Sequence, residues 1–130
     1  MADIDFFKKI NDTHGHLAGD VVLRSTAGKM HSLMRSYDFI GRYGGEEFLV
    51  ILPECCLECV AAFAERLRLF VSSDSIDTPE GMIPVTISFG VAASCKDRKK
   101  DAYSLVKAAD EALYRAKENG RNRVEVAPAL

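Results

Sequence analysis

The segment Arg42-Tyr43-Gly44-Gly45-Glu46-Glu47-Phe48 constrains this chain most. Two glycines stand between apolar runs, Phe39-Ile40 before them and Phe48-Leu49-Val50-Ile51-Leu52 after, which predicts a β-hairpin. Two adjacent carboxylates follow the glycines. Glycine lets a bulky ligand approach the backbone because no Cβ stands in the way. Adjacent glutamates repel unless a cation neutralises them. The combination suits a metal–nucleotide site. A second acidic segment supports this: in Ala2-Asp3-Ile4-Asp5-Phe6-Phe7, two aspartates alternate with apolar residues as at the end of a strand. Mg²⁺ takes one or two carboxylates together with substrate phosphates. Asp3 with Glu46 or Glu47 would suffice if the two segments form neighbouring strands. Each motif taken alone is unspecific, since Asp-x-Asp is common and Gly-Gly-Glu-Glu could be an ordinary exposed turn.

The 130 residues fit one domain, and 48% hydrophobic content is enough for a core. A net charge of −2 gives no basic field for nucleic acid or a membrane surface. No apolar run reaches the length of about 18 residues that spans a bilayer, and the acidic, amphipathic start is unlike a signal peptide. A cytoplasmic location is therefore expected. Cys56-Leu57-Glu58-Cys59 has zinc or redox spacing, but no second pair exists, and Cys95 is a weak further ligand beside Cys55. Reduced thiols at the start of a helix are the simpler reading. His14 and His16 flank Gly15 as loop polars, and His31 falls on a helix.

Periodicity predicts a short helix from Asp5 to Asn11 with Asp5 as N-cap, a loop over 12–18, and a helix from Gly19-Asp20 to about Met34. Leu23, Ala27, Met30 and Met34 share one face of the latter. The hairpin follows, ended by Pro53. A helix is predicted from about Leu57 to Ser72, then a polar loop from Ser73 to Pro84, a strand over Val85–Val91 and a charged turn over 96–101. The last helix should run from about Ala102 to Asn119, with Gly120 at C′, before a short strand over Arg123–Val126. Helices separated by hairpin strands argue for an α+β fold in which helices flank an antiparallel-rich central sheet.

With these segments in view, the chain resembles a GGDEF domain, the catalytic module of diguanylate cyclases. Gly44-Gly45-Glu46-Glu47-Phe48 carries the signature, with Glu in place of the middle Asp. Asp3 to Asp12 and Gly15-His16-Leu17-Ala18-Gly19-Asp20 match the first motif. Val85 to Gly90 matches a later strand, and Ala109 to Tyr114 with Ala116 to Asn122 match the terminal helix. The resemblance implies a palm-like nucleotidyl cyclase fold. It also implies condensation of two GTP into cyclic di-GMP with release of pyrophosphate, across a homodimer of domains, with Mg²⁺ or Mn²⁺ as cofactor.

Residue by residue, the resemblance implies that Asp3, Glu46 and the Ile4 carbonyl are metal ligands. Glu47 is then a ligand or the activator of the 3′-hydroxyl. Gly44 and Gly45 leave room for nucleotide, and the backbone N–H groups of Phe6, Phe7 and Lys8 hold phosphates. Lys8, Lys117 and Arg121 neutralise phosphate charge. Asn11 and Asp20 match the guanine-reading positions; a carboxylate suits the paired donors of guanine and repels adenine N1. Arg35 and Asp38, in Arg35-Ser36-Tyr37-Asp38, match an inhibitory product site, where Arg can pair with guanine O6 and N7. Arg66 resembles a secondary arginine at that site. Taken singly, these residues have plain alternatives: an N-cap for Asp20, a turn for Asn11, and solvated helix positions for Arg66, Lys117 and Arg121.

Family members carry a helix and a strand ahead of the position of Asp3, where this sequence has Met1-Ala2. A single N-terminally trimmed domain over 1–130 is therefore expected, lacking the usual N-terminal helix and first strand and an upstream sensor or receiver domain. A non-turnover module that binds GTP or cyclic di-GMP is the alternative reading; the intact Asp3, Glu46 and Glu47 count against it.

Overall fold

The computed structural model describes residues 1–94 and 101–128. Its centre is a five-stranded sheet of order β2-β3-β1-β6-β7, built from β1 (Ala2–Ile4), β2 (Phe39–Gly44), β3 (Glu47–Ile51), β6 (Ile87–Val91) and β7 (Val124–Val126). All pairings are antiparallel except β6 with β7. Among the described residues four helices accompany it: α1 (Phe7–His14), α2 (His16–Ser32), α3 (Leu57–Ser72) and α4 (Ala102–Glu118). The expected α+β fold with an antiparallel-rich sheet is the one observed.

Strand alternation decides what each face carries. Ile87, Phe89 and Val91 of β6 join Ala2, Ile4 and Phe48 in a core with Val22 and Met30 of α2 and Ala64, Leu67 and Val71 of α3. The intervening residues face α4. Gly90 lies so close to that helix that an added Cβ would stand 2.1 Å from the Ala109 carbonyl oxygen and 2.2 Å from the Leu113 nitrogen. On the same face Leu49 packs with Met1, Ala109 and Leu113. With a helix layer on each side, β6 is buried along its whole length.

Several predicted elements stand as read. The helix expected from Leu57 to Ser72 is α3. Gly120 takes a left-handed φ of 115° just beyond α4, and Arg121 N–H donates to the Ala116 carbonyl at 2.9 Å, closing the helix end. Others need correction. The first strand expected to be missing is present as a three-residue strand, β1, which pairs with β3 on one side and β6 on the other. The predicted loop over 12–18 is helix on both sides of Gly15, whose φ of 89° turns α1 into α2. The polar residues there are the solvent faces of two helices. The polar loop over 73–84 contains a hairpin, β4 (Ile76–Thr78) with β5 (Gly81–Ile83), because Ile76 and Ile83 anchor it in the core. The predicted turn at 96–100 lies outside the described residues.

Gly90→Ala should destabilise the fold by about 3 kcal/mol, since neither contacting backbone atom can yield. Gly28→Ala, at an exposed α2 position with open space around the added carbon, should stabilise by roughly 0.5–1 kcal/mol. Urea denaturation midpoints check the pair. Equal stability of Gly90→Ala and wild type would contradict the tight β6–α4 packing.

Candidate active site

The hairpin of β2 and β3 turns at Gly45-Glu46, with Gly44 paired to Glu47. The turn is thus one residue later than a Gly-Gly loop would place it. Gly45 adopts a left-handed φ of 46°, which favours glycine, and its carbonyl accepts from Arg42 Nε at 2.7 Å. An added Cβ on Gly44 would meet open space. Glu46 therefore sits in the turn and Glu47 opens β3.

Register brings the acids together. Asp3 of β1 and Glu47 of β3 are cross-strand partners, on the face that carries α4. Like charges directly opposite one another are destabilising. Burial pushes the Asp3 carboxyl above its ordinary value; Lys117 opposes the shift, and Glu46 and Asp5 add to it. Burial also raises Glu47, reinforced by Asp3, Asp110 and Glu46 and opposed by Lys117. Lys117, in the last turn of α4, contacts the Asp3 carboxylate at 2.9 Å and the Asp5 carboxylate at 2.7 Å, and donates to the Asp3 carbonyl at 3.2 Å.

Asp5 is not the N-cap it was expected to be. The helix starts at Phe7 behind a left-handed Phe6, and the Asp5 carboxylate points into the sheet–α4 layer. There it accepts from Ser88 Oγ at 2.6 Å, Thr86 Oγ1 at 2.8 Å and the Asn122 N–H at 2.9 Å, besides Lys117. Burial pushes this carboxyl up, but the hydrogen bonds from Lys117, Ser88 and Thr86 outweigh it and hold the group below the usual carboxylate range. Sequence reasoning missed this network because its members lie more than 80 residues from Asp5. The available signal was that Asp5 shares the strand parity of Asp3, and that Ser88 interrupts an otherwise apolar strand.

An open cleft of about 570 Å³ lies at the start of α1. Asp3, Ile4, Phe6, Phe7, Lys8, Glu46, Lys117 and Arg121 line it, so eight of the predicted residues meet in one place, joined by Lys9 and Asp12, which the sequence did not single out. Arg121 stacks over the exposed Phe6 ring at 4.7 Å. The first turn of α1 presents backbone N–H groups that have no partner within the helix. Glu47, Asn11, Asp20, Gly44 and Gly45 are not among the lining residues. Asn11 packs on Gly19 where the helices cross, and its Oδ1 is buried with no hydrogen-bond partner. Asp20, the residue after Gly19, is exposed inside α2 and is not an N-cap.

Arg35 and Asp38 form a clamp away from this cleft. Arg35 Nη2 donates to Asp38 Oδ1 at 2.8 Å, Nε to Oδ2 at 3.1 Å, and the Arg35 backbone N–H to Oδ2 at 2.8 Å. The pairing holds the Asp38 carboxyl below its ordinary value. Tyr37 lies under the guanidinium at 4.5 Å, and Cys55 Sγ accepts from Nη2 at 3.2 Å. Arg66 is exposed on α3. Among the described residues, no set of three or more His, Cys, Asp or Glu converges as a metal cage, and no helix is long and apolar enough to cross a membrane.

Comparison with known proteins identifies the family and fold. The family model described as diguanylate cyclase, GGDEF domain, matches residues 1–123. The chain is 50% identical over 124 residues to diguanylate cyclase A of Treponema denticola, covering 95% of this chain and 33% of that protein. It is 48% identical over 126 residues to the response regulator PleD of Caulobacter vibrioides, covering 95% of this chain and 28% of that one. The chain thus spans about a third of these relatives. Among solved structures, the active GGEEF domain of a Vibrio cholerae diguanylate cyclase superposes with a TM-score of 0.87 at 32% identity, over 99% of this chain and 81% of that one. The coiled coil and GGDEF domain of DgcB from Caulobacter crescentus, in complex with c-di-GMP, gives 0.85 at 36% identity, over 97% and 66%. The chain belongs to the GGDEF-domain family of diguanylate cyclases.

Proposed function

We propose that this domain condenses two GTP into cyclic di-GMP, each of two facing domains presenting one nucleotide. The observation that carries this reading is the cross-strand opposition of Asp3 and Glu47 beside a cleft lined by Lys8, Lys117, Arg121 and the start of α1. In each of two steps, the 3′-oxygen of one GTP bonds to the α-phosphorus of the other. The bond to the β-phosphate bridging oxygen breaks, and pyrophosphate leaves. Glu47 takes the 3′-hydroxyl proton; its raised carboxyl brings it nearer the working pH of a general base. The N–H groups of Phe6, Phe7 and Lys8 receive phosphate oxygens. Lys8, Lys117 and Arg121 balance the negative charge, and the open space at Gly44 and the turn at Gly45 admit the nucleotide.

The donor set fits a hard divalent cation, Mg²⁺ or Mn²⁺. The acids are all oxygen donors, too few for a closed protein cage but sufficient with substrate phosphates. Asp3, Glu46, Glu47 and the Ile4 carbonyl would hold it, and it would supply charge stabilisation at the reacting phosphate. The unpartnered Asn11 Oδ1 is an acceptor of the kind a guanine N–H would satisfy, and Asp20, close by on α2, supplies the paired acceptor. Arg35 and Asp38, with Arg66, form the inhibitory product site. The reaction is expected in the cytoplasm.

Incubating the chain at high concentration with GTP and Mg²⁺, and separating nucleotides by chromatography, tests the reading. Cyclic di-GMP is expected; bound GTP without product would favour the non-turnover binding module. Glu47→Gln should lower turnover by roughly 100-fold or more while GTP binding, read by calorimetry, persists. Near-normal turnover in that variant would remove Glu47 from the chemistry.

Mg²⁺ should raise Tm at neutral pH, because it offsets the penalty that burial and neighbouring acids place on the ionised Asp3 and Glu47. Both carboxyls have raised folded values, so their ionisation penalises the fold and is relieved as pH falls through those values. The Mg²⁺ increment should therefore vanish over that range. Asp5 contributes with the opposite sign: its stabilisation is present above its unfolded value and is lost only as pH falls to its depressed folded value. A pH window should exist in which the fold persists and the Mg²⁺ response is gone. A constant Mg²⁺ increment throughout acid titration would contradict the role of the two acids.

A further inference from the structure

We propose that Cys56 and Cys59 form a thiol–disulfide exchange site that takes a low-molecular-weight disulfide as co-reactant, and that its oxidised form loosens the neighbouring Arg35–Asp38 clamp. Its consequence for product binding rests on the inhibitory-site reading above.

The two sulfurs are already in contact. Cys56 is the N-cap of α3, and its Sγ accepts from the Cys59 N–H at 3.3 Å. The Cys56 thiol donates to Cys59 Sγ at 2.8 Å, and both side chains are exposed. A disulfide bond is about 2.05 Å long, so the sulfurs need close by only about 0.8 Å. Exposure leaves room for an incoming disulfide. The Cys59 thiol is pushed up from its ordinary value, first by its contact with Cys56 and further by the charge of Cys55. Cys56, whose sulfur sits at the N-terminus of α3 and accepts a backbone N–H there, is the sulfur that attacks.

The chemistry balances without a metal. The Cys56 thiolate attacks one sulfur of the small disulfide and releases one small thiol, leaving a mixed disulfide. The Cys59 thiolate then attacks Cys56 Sγ and releases the second. The two protein thiols are oxidised, the small disulfide is reduced, and the two protons end on the released thiols.

The clamp lies one residue away. Cys55 is bonded to Cys56, and its Sγ accepts from Arg35 Nη2 at 3.2 Å. Drawing Cys56 onto Cys59 moves the adjoining Cys55, so Arg35 loses its sulfur contact while its bonds to Asp38 must readjust. Inside cells, disulfides of this kind are usually transient and serve redox sensing or catalysis.

The test equilibrates the whole chain with defined ratios of reduced and oxidised glutathione, traps free thiols by alkylation and maps the peptides. A Cys56–Cys59 disulfide is expected in wild type and in Cys55→Ser, and not in Cys56→Ser, where serine keeps the helix cap. Thiols that stay reduced at every ratio, a persistent glutathione adduct, or pairing with Cys55 or Cys95 would each overturn the site. The Arg35 Nε–H resonance should shift on oxidation of wild type and stay put in Cys59→Ser; an unmoved resonance in wild type overturns the coupling. Cyclic di-GMP affinity should fall roughly fivefold on oxidation. If Arg35→Ala binds cyclic di-GMP as tightly as wild type, the inhibitory-site reading fails, and the Arg35 resonance still decides the coupling.

Discussion

Two carboxylates held opposite each other on neighbouring strands are unfavourable, and much of this domain is arranged around that fact. Asp3 and Glu47 face one another across β1 and β3, and the ammonium of Lys117 compensates from the end of α4. Burial raises both the Asp3 and the Glu47 carboxyl, the neighbouring acids add to the shift, and Lys117 offsets it only in part. A site that stays short of positive charge is one that will accept more of it. Asp3 and Glu46 line the cleft together with Lys8 and Arg121.

The position of Lys117 depends in turn on how closely α4 lies on the sheet. Gly90 removes the side chain that would hold the helix away from β6, and Ala109, Ala112 and Ala116 give α4 a thin buried face. With the helix this close, a lysine in its last turn reaches β1 directly. Ser88, two residues before Gly90 on the same face, then contacts the Asp5 carboxylate. A larger residue at position 90 would therefore disturb packing first and the charge arrangement as a consequence.

How much of this was legible in the sequence depended on the range over which each signal acts. Local signals read well. The apolar spacing over 57–72 and the glycine after α4 placed those elements as observed, and the glycine-separated apolar runs placed the hairpin to within a residue at its turn. The polar segment 12–18 misled because helices exposed on one side carry polar residues there, and Gly15 breaks the path for a single residue. The β4–β5 hairpin was hidden because two isoleucines in a polar stretch carry no periodicity. Asp5 was the largest miss in the site. A cap is a local role, whereas its partners Thr86, Ser88, Lys117 and Asn122 come together only in the folded chain. Asp3, Ile4, Phe6, Phe7 and Lys8 meet in the cleft because they follow one another along the β1–α1 corner, whereas Glu47, Asn11, Asp20, Gly44 and Gly45 fall outside its lining, and spacing could not reveal what fixes that corner to α4.

That fixation has an energetic cost that identifies its purpose. Arg121 and Asn122 both adopt left-handed backbone, with φ of 62° and 46°; this costs about 1–2 kcal/mol for Arg121 and less for Asn122, since asparagine enters that region more readily. Hydrogen bonds to a charged group contribute about 1.5–3 kcal/mol, and the Asn122 N–H donates to the buried Asp5 carboxylate as well as to Ser88 Oγ. The Asp5 network is thus of the right size to hold a turn that would otherwise relax. The turn carries the Arg121 guanidinium back over Phe6, where both line the cleft, so Asp5, without lining the cleft, sets where both of its C-terminal cations stand.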